Sequence, residues 1–104
     1  MRKERPSFDN FKQCFKDIIN EYSPGIEVPD STKWTEIADG ETRNKILRRM
    51  KERMEVEYGV ELVIAPEIYN LDTSLEGLLA RLHHVFSTVY LMERINDKIR
   101  ARQH

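Results

Sequence analysis

The stretch that decides the fold is residues 73–95, TSLEGLLARLHHVFSTVYLMERI, which carries the strongest helical pattern in the chain. Its apolar residues recur every three or four positions, the spacing that lines one face of an α-helix. They are Leu75, Leu78, Leu79, Leu82, Val85, Phe86, Val89, Met92 and Ile95. TSLE at residues 73–76 has the spacing of a capping box, so the helix is predicted to begin there and to reach about Arg100.

Two earlier segments have the same period. The first helix is predicted over residues 8–22, with Ser7 as its N-cap and Ser-Pro-Gly at residues 23–25 as its end. The second is predicted from about Asp39 to Tyr58, because apolar residues repeat every four positions there and Gly59 suits a helix C-terminus.

The remaining segments are predicted to be connections. Residues 23–39 form a long loop, held over the bundle by its apolar side chains, with Trp34 as the main packing anchor. Residues 60–64, VELVI, resemble a short strand, but the sequence offers no second strand to pair with, so an extended segment is predicted. Pro66 begins a short helical turn that ends at Asn70. The expected fold is an all-α bundle of three or four helices with a long first loop and an extended last helix.

Composition limits the class of protein. The chain has 104 residues, 17 Lys and Arg against 18 Asp and Glu, and a net charge of −1, which argues against a dedicated nucleic-acid binder. We expect one domain over residues 1–104, with residues 1–6 and 101–104 frayed. No apolar run is long enough to span a membrane and no apolar stretch follows the first residues, so neither a membrane segment nor a secretory signal is expected. Cys14 is the single cysteine, and a cytoplasmic protein is expected.

Four segments, in order, resemble segments of the acyl carrier protein family. KWTEI at residues 33–37 is similar to the aromatic segment before the carrier motif, and Asp39 is similar to the aspartate of the family's Asp-Ser-Leu. EYGVEL at residues 57–62 is similar to the acidic-Phe-Gly-Ile-Glu-Ile signature, and TSLEGLL at residues 73–79 to the start of the last helix. The resemblance spans roughly residues 8–86 and implies a four-helix bundle with a long first loop and a short third helix.

The resemblance implies a domain that docks to synthase, ligase or acyl-transfer enzymes and does no chemistry of its own. In the family, 4′-phosphopantetheine is attached to the serine after the aspartate. Here Gly40 follows Asp39, and Thr42 is the nearest hydroxyl, so Asp39, Gly40 and Thr42 form the candidate motif region. Ser74, which precedes a leucine, is the alternative attachment site, although its position suits a helix cap.

The predicted second helix also differs from the family in charge, because the family's helix is normally acidic. Lys45, Arg49 and Arg53 are spaced at i, i+4 and i+8, and we call them the basic ridge. The ridge is a candidate surface for an acidic protein or a phosphate group. The alternative is a solvated helix face neutralised by Glu52 and Glu55.

Other chemistry is not predicted. His83 and His84 point about 100° apart on a helix and cannot clamp one metal ion. Cys14 has no histidine within helical reach, so a half-buried core thiol is expected rather than a nucleophile. No enzyme activity and no metal site are expected.

The predicted last helix extends past the length of a minimal carrier. Its apolar spacing continues through Val85, Val89, Met92, Ile95 and Ile99, more than one small core can cover. This surplus predicts a homodimer or partner-binding face, with packing against the N-terminal residues as the alternative. Three functions therefore stay open. They are a carrier protein, a non-carrying adaptor that binds through the basic ridge or the last helix, and an unrelated helical interaction domain.

Overall fold

The structure is a computed structural model that describes residues 4–102. It contains four α-helices and one 3₁₀ helix: α1 (Phe8–Tyr22), α2 (Trp34–Ile37), α3 (Gly40–Tyr58), the 3₁₀ helix (Pro66–Asn70) and α4 (Leu75–Arg102). Within these residues there is no β-strand, only an isolated antiparallel bridge between Lys33 and Ser74. The all-α prediction is confirmed.

The ends of α1 and α3 follow from their capping residues. The Ser7 hydroxyl accepts a hydrogen bond from the Asn10 amide, 3.1 Å away, and starts α1 as predicted. Asp39 does the same for α3, accepting from the Thr42 amide at 2.7 Å. Gly59 ends α3 with φ of 67°, a left-handed conformation that glycine adopts without steric cost.

The predicted first loop contains a helix that the sequence pattern did not reveal. Residues Trp34–Ile37 form α2. The sequence pattern missed this helix because four residues are too few to show a helical period. The prediction that Trp34 anchors this segment is confirmed, since its side chain is fully buried. Its indole nitrogen donates to the carbonyl oxygens of Ile68 and Tyr69, at 3.1 and 3.2 Å.

The first loop also provides the cap of α4. The Leu75 amide donates to the Thr32 carbonyl at 2.7 Å, and the Glu76 amide donates to the Asp30 carbonyl at 3.0 Å. These carbonyls satisfy amides that lack a partner within the first turn of a helix. The capping box predicted from Thr73 is wrong by one residue, whereas the interpretation of Ser74 as a cap is confirmed, because its hydroxyl accepts from the Gly77 amide at 3.1 Å.

Ion pairs hold the same loop against α1. The Asp30 carboxylate lies 2.9 Å from Lys12 Nζ and 2.6 Å from Lys16 Nζ. Hydrogen bonds from Lys16 and Lys12 lower the pKa of Asp30 below its usual value. The beginning of α4 is thereby tied to α1 through Asp30, whose backbone and side chain bind different helices.

Residues 60–64 are extended without strand pairing, as predicted. Val60 and Leu62 are buried, whereas Glu61 and Val63 are exposed. The segment therefore packs one side against the core. The 3₁₀ helix that follows begins at Pro66 and buries Ile68. The predicted short turn is confirmed.

The prediction of frayed ends is wrong for Pro6. Pro6 is buried, and its carbonyl oxygen lies 3.0 Å from His83 Nε2 of α4. His83 also contacts Phe8 and Phe11 edge-on, with ring centroids 5.6 and 5.3 Å apart. At the other end, Ala101 and Arg102 still belong to α4. Residues 1–3 and 103–104, also predicted to fray, lie outside the described residues.

The helices enclose one core and leave the end of α4 outside it. The largest buried side chains come from α1, α2, α3 and α4; they include Phe11, Phe15, Trp34, Leu47, Met50, Leu78 and Phe86. Tyr90 is the last buried residue of α4 in the described part of the chain. The radius of gyration is 14.9 Å, above the roughly 13 Å expected for a compact domain of this size. The molecule is elongated, 50 Å along its longest axis. No helix in residues 4–102 is both long and apolar enough to cross a membrane.

Candidate functional site

The candidate carrier motif lies at the N-terminus of α3. Asp39 is the N-cap, and Gly40 is the first helical residue and is exposed. Hydrogen bonds from the amide and the side chain of Thr42 lower the pKa of Asp39, so its carboxylate is engaged in capping. The motif region predicted from the sequence is therefore one local structure, a helix cap.

This region does not fit a phosphopantetheine group. The attachment position that the resemblance implies is Gly40, which has no hydroxyl to form the phosphodiester. The Thr42 side chain is two residues further along the helix and hydrogen-bonds Asp39. The alternative, Ser74, is half-buried and its hydroxyl caps α4. Both candidate hydroxyls, those of Thr42 and Ser74, are thus engaged in helix caps.

The basic ridge is surrounded by carboxylates. Lys45 Nζ lies 3.7 Å from Glu41, and Arg53 Nε lies 3.3 Å from Glu57. Arg49 lies between Glu52 of its own helix at 3.8 Å and a carboxylate of α1, Glu21, at 3.6 Å. The ridge thus lies along the seam between α1 and α3 and resembles the neutralised helix face that the sequence left as the alternative. Exposed pairs of this kind are worth little each and leave a weak net field.

Arg43 is a residue whose role the sequence analysis missed. Its side chain is buried, with 8% exposure, and does not contribute to the basic surface of α3. The guanidinium donates to the carbonyl oxygens of Ala38, Thr35 and Tyr69 at 2.7, 3.1 and 3.3 Å. It also donates to Asn70 Oδ1 at 2.9 Å. The signal was present, because residue 43 precedes Leu47, Met50 and Met54 on the apolar face of the helix.

The other potentially reactive side chains, Cys14 and His83, have packing roles. Cys14 is half-buried as expected, and burial raises the pKa of its thiol, which disfavours the nucleophilic thiolate. His83 packs against the phenylalanines of α1. Among the described residues, no three His, Cys, Asp or Glu side chains are grouped so that they could hold a metal ion.

The last part of α4 carries exposed apolar side chains. Met92, Ile95 and Ile99 are 60, 57 and 48% exposed. Val85 and Leu91 are 38 and 46% exposed. We call these five residues the α4 face. Val89, which the sequence placed in the same stripe, is instead half-buried against the core.

The α4 face lies on a different side of the helix from the core. At 100° per residue, the direction of Val85, Met92, Ile95 and Ile99 is roughly 115° from that of the buried Leu82 and Phe86. The single stripe predicted from the sequence is therefore two stripes, one buried and one exposed. Counting the rotation per residue, rather than the spacing alone, separates them.

A groove adjoins the α4 face at its N-terminal end. It has a volume of about 480 Å³ and lies between α4 and the segment that contains the 3₁₀ helix. Its apolar lining includes Val63, Ala65, Ile68, Leu82 and Val85, and Val63 is half exposed. Its charged or polar lining residues are Glu67, Arg81 and His84. Because Val85 belongs to both, the groove and the α4 face form one continuous surface.

Comparison with known proteins adds no relative. No family model matches this chain, no curated protein matches it, and no solved structure matches it.

Proposed function

We propose that this chain is a protein-interaction module with the layout of an acyl carrier protein and without a phosphopantetheine group. Its docking surface is the α4 face with the adjoining groove, and its occupant is an amphipathic helix of a protein partner. The observation that carries the proposal is the exposure of Met92, Ile95 and Ile99 on the part of α4 that extends beyond the core. Contiguous exposed apolar surface of this kind is typical of protein–protein contacts.

The spacing of the α4 face supports a helical occupant. Val85, Met92, Ile95 and Ile99 are separated by seven, three and four residues, the a and d spacing of a coiled coil. A helix that lies along this face contacts all four side chains. The basic ridge is not proposed as the docking surface, because its cations already lie beside carboxylates.

The carrier-like layout is supported by the order of elements. A long first connection precedes α3, and a short 3₁₀ helix precedes the closing helix, as in the family that the sequence resembles. The family also suggests the class of partner, namely synthase, ligase or acyl-transfer enzymes. We propose that the chain performs no catalysis itself. A cytoplasmic location is part of the proposal, because a single free cysteine suits a reducing compartment.

The carrier-like part of the proposal is tested by restoring the missing serine. The variant Gly40→Ser/Glu41→Leu recreates Asp-Ser-Leu at the cap of α3. A side chain fits there, because a Cβ at residue 40 has only an ordinary contact, 3.8 Å, with Arg43 Nη2. We expect a promiscuous phosphopantetheinyl transferase with coenzyme A to add one phosphopantetheine to this variant and none to the wild type. Intact mass measures the addition.

Two controls sharpen the result. Thr42→Ser changes a hydroxyl in the same turn without recreating the motif and should remain unmodified. Ser74→Ala removes the alternative site and should leave the double variant's modification intact. A modified wild type would overturn the proposal that no phosphopantetheine is attached. A double variant that stays folded and unmodified would remove the support for the carrier resemblance.

A further inference from the structure

We infer that the helix that covers the α4 face is α4 of a second copy of this chain, placed antiparallel about a two-fold axis at the level of residue 90. This inference rests on the proposed function and names its partner. Antiparallel pairing about such an axis makes the interface self-complementary, because each copy offers the same face and the same groove.

The positions along the face match in this register. With the axis at the level of residue 90, Val85 of one copy lies opposite Ile95 of the other. Thr88 lies opposite Met92, and the two Leu91 residues lie on either side of the axis, offset by only about 3 Å along the helix. All of these residues are exposed in the single chain. Alternating contacts between a and d positions are the packing of antiparallel helix pairs.

The position of the groove also favours antiparallel pairing. In this register the end of α4 from the second copy, with Ile99, lies beside residues 80–85 and therefore at the groove. The groove is lined by the apolar Val63, Ala65 and Val85, so it can receive the Ile99 side chain. In a parallel pair the grooves of the two copies would lie side by side, and neither would receive the end of α4.

Charge favours the same direction. Residues 94–102 carry four cations, Arg94, Lys98, Arg100 and Arg102, against one anion, Asp97. A parallel pair would place these two positive segments side by side. The antiparallel pair places each of them at the groove, where Glu67 offsets Arg81. Avoiding like charges across an interface lowers the free energy of association.

The size of the surface sets the expected affinity. Residues 80–99 span roughly 30 Å of helix. A contact of that length with the groove buries on the order of 1,000 Å² in total, the lower end for a specific interface. We therefore expect a reversible dimer with a dissociation constant in the micromolar range.

Sedimentation velocity of the full chain over a concentration series tests association. We expect wild type to change from monomer to dimer with rising concentration, and Met92→Glu/Ile95→Glu to stay monomeric throughout. The matched control is Val56→Glu, on α3, because Val56 is an apolar residue with 85% exposure outside the α4 face. The control should dimerise like wild type. Far-ultraviolet circular dichroism shows whether each variant remains helical.

Disulfide formation tests the direction. In a Cys14→Ser background, Val85→Cys and Ile95→Cys should each fail to form a linked dimer alone, because each lies roughly 15 Å out of register with its own copy. Mixed together, they should form a linked pair, and Leu91→Cys should link to itself. Linkage of Val85→Cys and Ile95→Cys each to itself would indicate a parallel pair and overturn the antiparallel arrangement.

A wild type that stays monomeric into the high micromolar range would overturn the inference. The proposed function would not fall with it, because the transferase experiment does not depend on association. A dimer that persists in Met92→Glu/Ile95→Glu would also overturn it, since the contact would then lie elsewhere.

Discussion

At the scale of single residues, Arg43 joins three segments of the chain through polar contacts. Its guanidinium binds the carbonyl oxygens of Thr35 and Ala38 at the end of α2, and Tyr69 and Asn70 at the end of the 3₁₀ helix. A buried arginine is stable only when its donors are paired, because an unpaired buried charge costs several kcal/mol. Arg43 therefore helps to hold α3, α2 and the 3₁₀ helix in one arrangement, together with the Trp34 indole, which also donates to the 3₁₀ helix.

Replacing this side chain should reduce stability markedly. Arg43→Met keeps an unbranched stem but removes the donors to the Thr35 and Ala38 carbonyls and to Asn70, so we expect the free energy of unfolding to fall by about 2–4 kcal/mol. Urea denaturation followed by circular dichroism measures the loss. Arg48→Met, at an exposed position of the same helix, is the matched control and should change stability by about 0.5 kcal/mol or less. Equal effects at both positions would contradict the structural role of Arg43.

At the scale of the elements, residue 77 in the first turns of α4 must be glycine because a neighbouring side chain leaves no room for a Cβ. Glycine inside a helix costs about 1 kcal/mol relative to alanine, so intrinsic propensity predicts that Gly77→Ala stabilises the protein. The structure predicts the opposite sign, because a Cβ at residue 77 would overlap Thr73 Oγ1. The backbone of Thr73 is itself fixed, since its carbonyl accepts from the Trp34 amide at 2.9 Å.

A double-mutant cycle separates the two effects. We expect Gly77→Ala to lower the free energy of unfolding in wild type and to raise it in a Thr73→Ala background, where the blocking hydroxyl is absent. The coupling should be about 1 kcal/mol or more. Thermal or urea unfolding of the four proteins measures it. If Gly77→Ala has the same effect in both backgrounds, the overlap with Thr73 is not what retains glycine.

The elements also show which parts of the fold the sequence could predict. The bounds of α1 and α3 were predictable, because Ser7, Asp39 and Gly59 determine them through local hydrogen bonds and backbone conformation. The cap of α4 was misplaced by one residue because carbonyls from a distant loop supply part of it. The short α2 was missed because its stability comes from the burial of Trp34 and the bonds of Arg43, which are contacts between segments.

The sequence indicated which residues belong to the candidate sites, but not the contacts that these residues make. The surplus apolar length of α4 follows from the sequence alone, as does the presence of glycine at residue 40, where the carrier resemblance implies a serine. The sequence could not show that Glu21 of α1 lies beside the basic ridge, because that pair forms only when two helices pack. It also merged the buried and exposed stripes of α4, since both use intervals of three and four residues.

At the scale of the whole molecule, α4 serves two purposes in succession. Up to Tyr90 it completes the core, and beyond Tyr90 it extends past the bundle and makes the molecule elongated. A chain that ends after Arg94 removes Ile95 and Ile99 but none of the buried residues. We expect it to fold with a free energy of unfolding within about 1 kcal/mol of wild type at low protein concentration, because the core is intact. A chain that ends after Val85 loses Phe86 and Tyr90 and should fail to fold.

The two purposes separate when protein concentration is varied. Association that occurs only in the folded state raises the apparent free energy of unfolding. The rise is about 2.7 kcal/mol when the protein concentration is a hundredfold above the dissociation constant. The melting temperature of wild type should therefore rise with concentration, whereas that of the chain ending after Arg94 should stay constant. Scanning calorimetry at several concentrations measures both. Parallel behaviour of the two proteins would mean that the end of α4 stabilises the single chain, and the extension would then belong to the core and not to an interface.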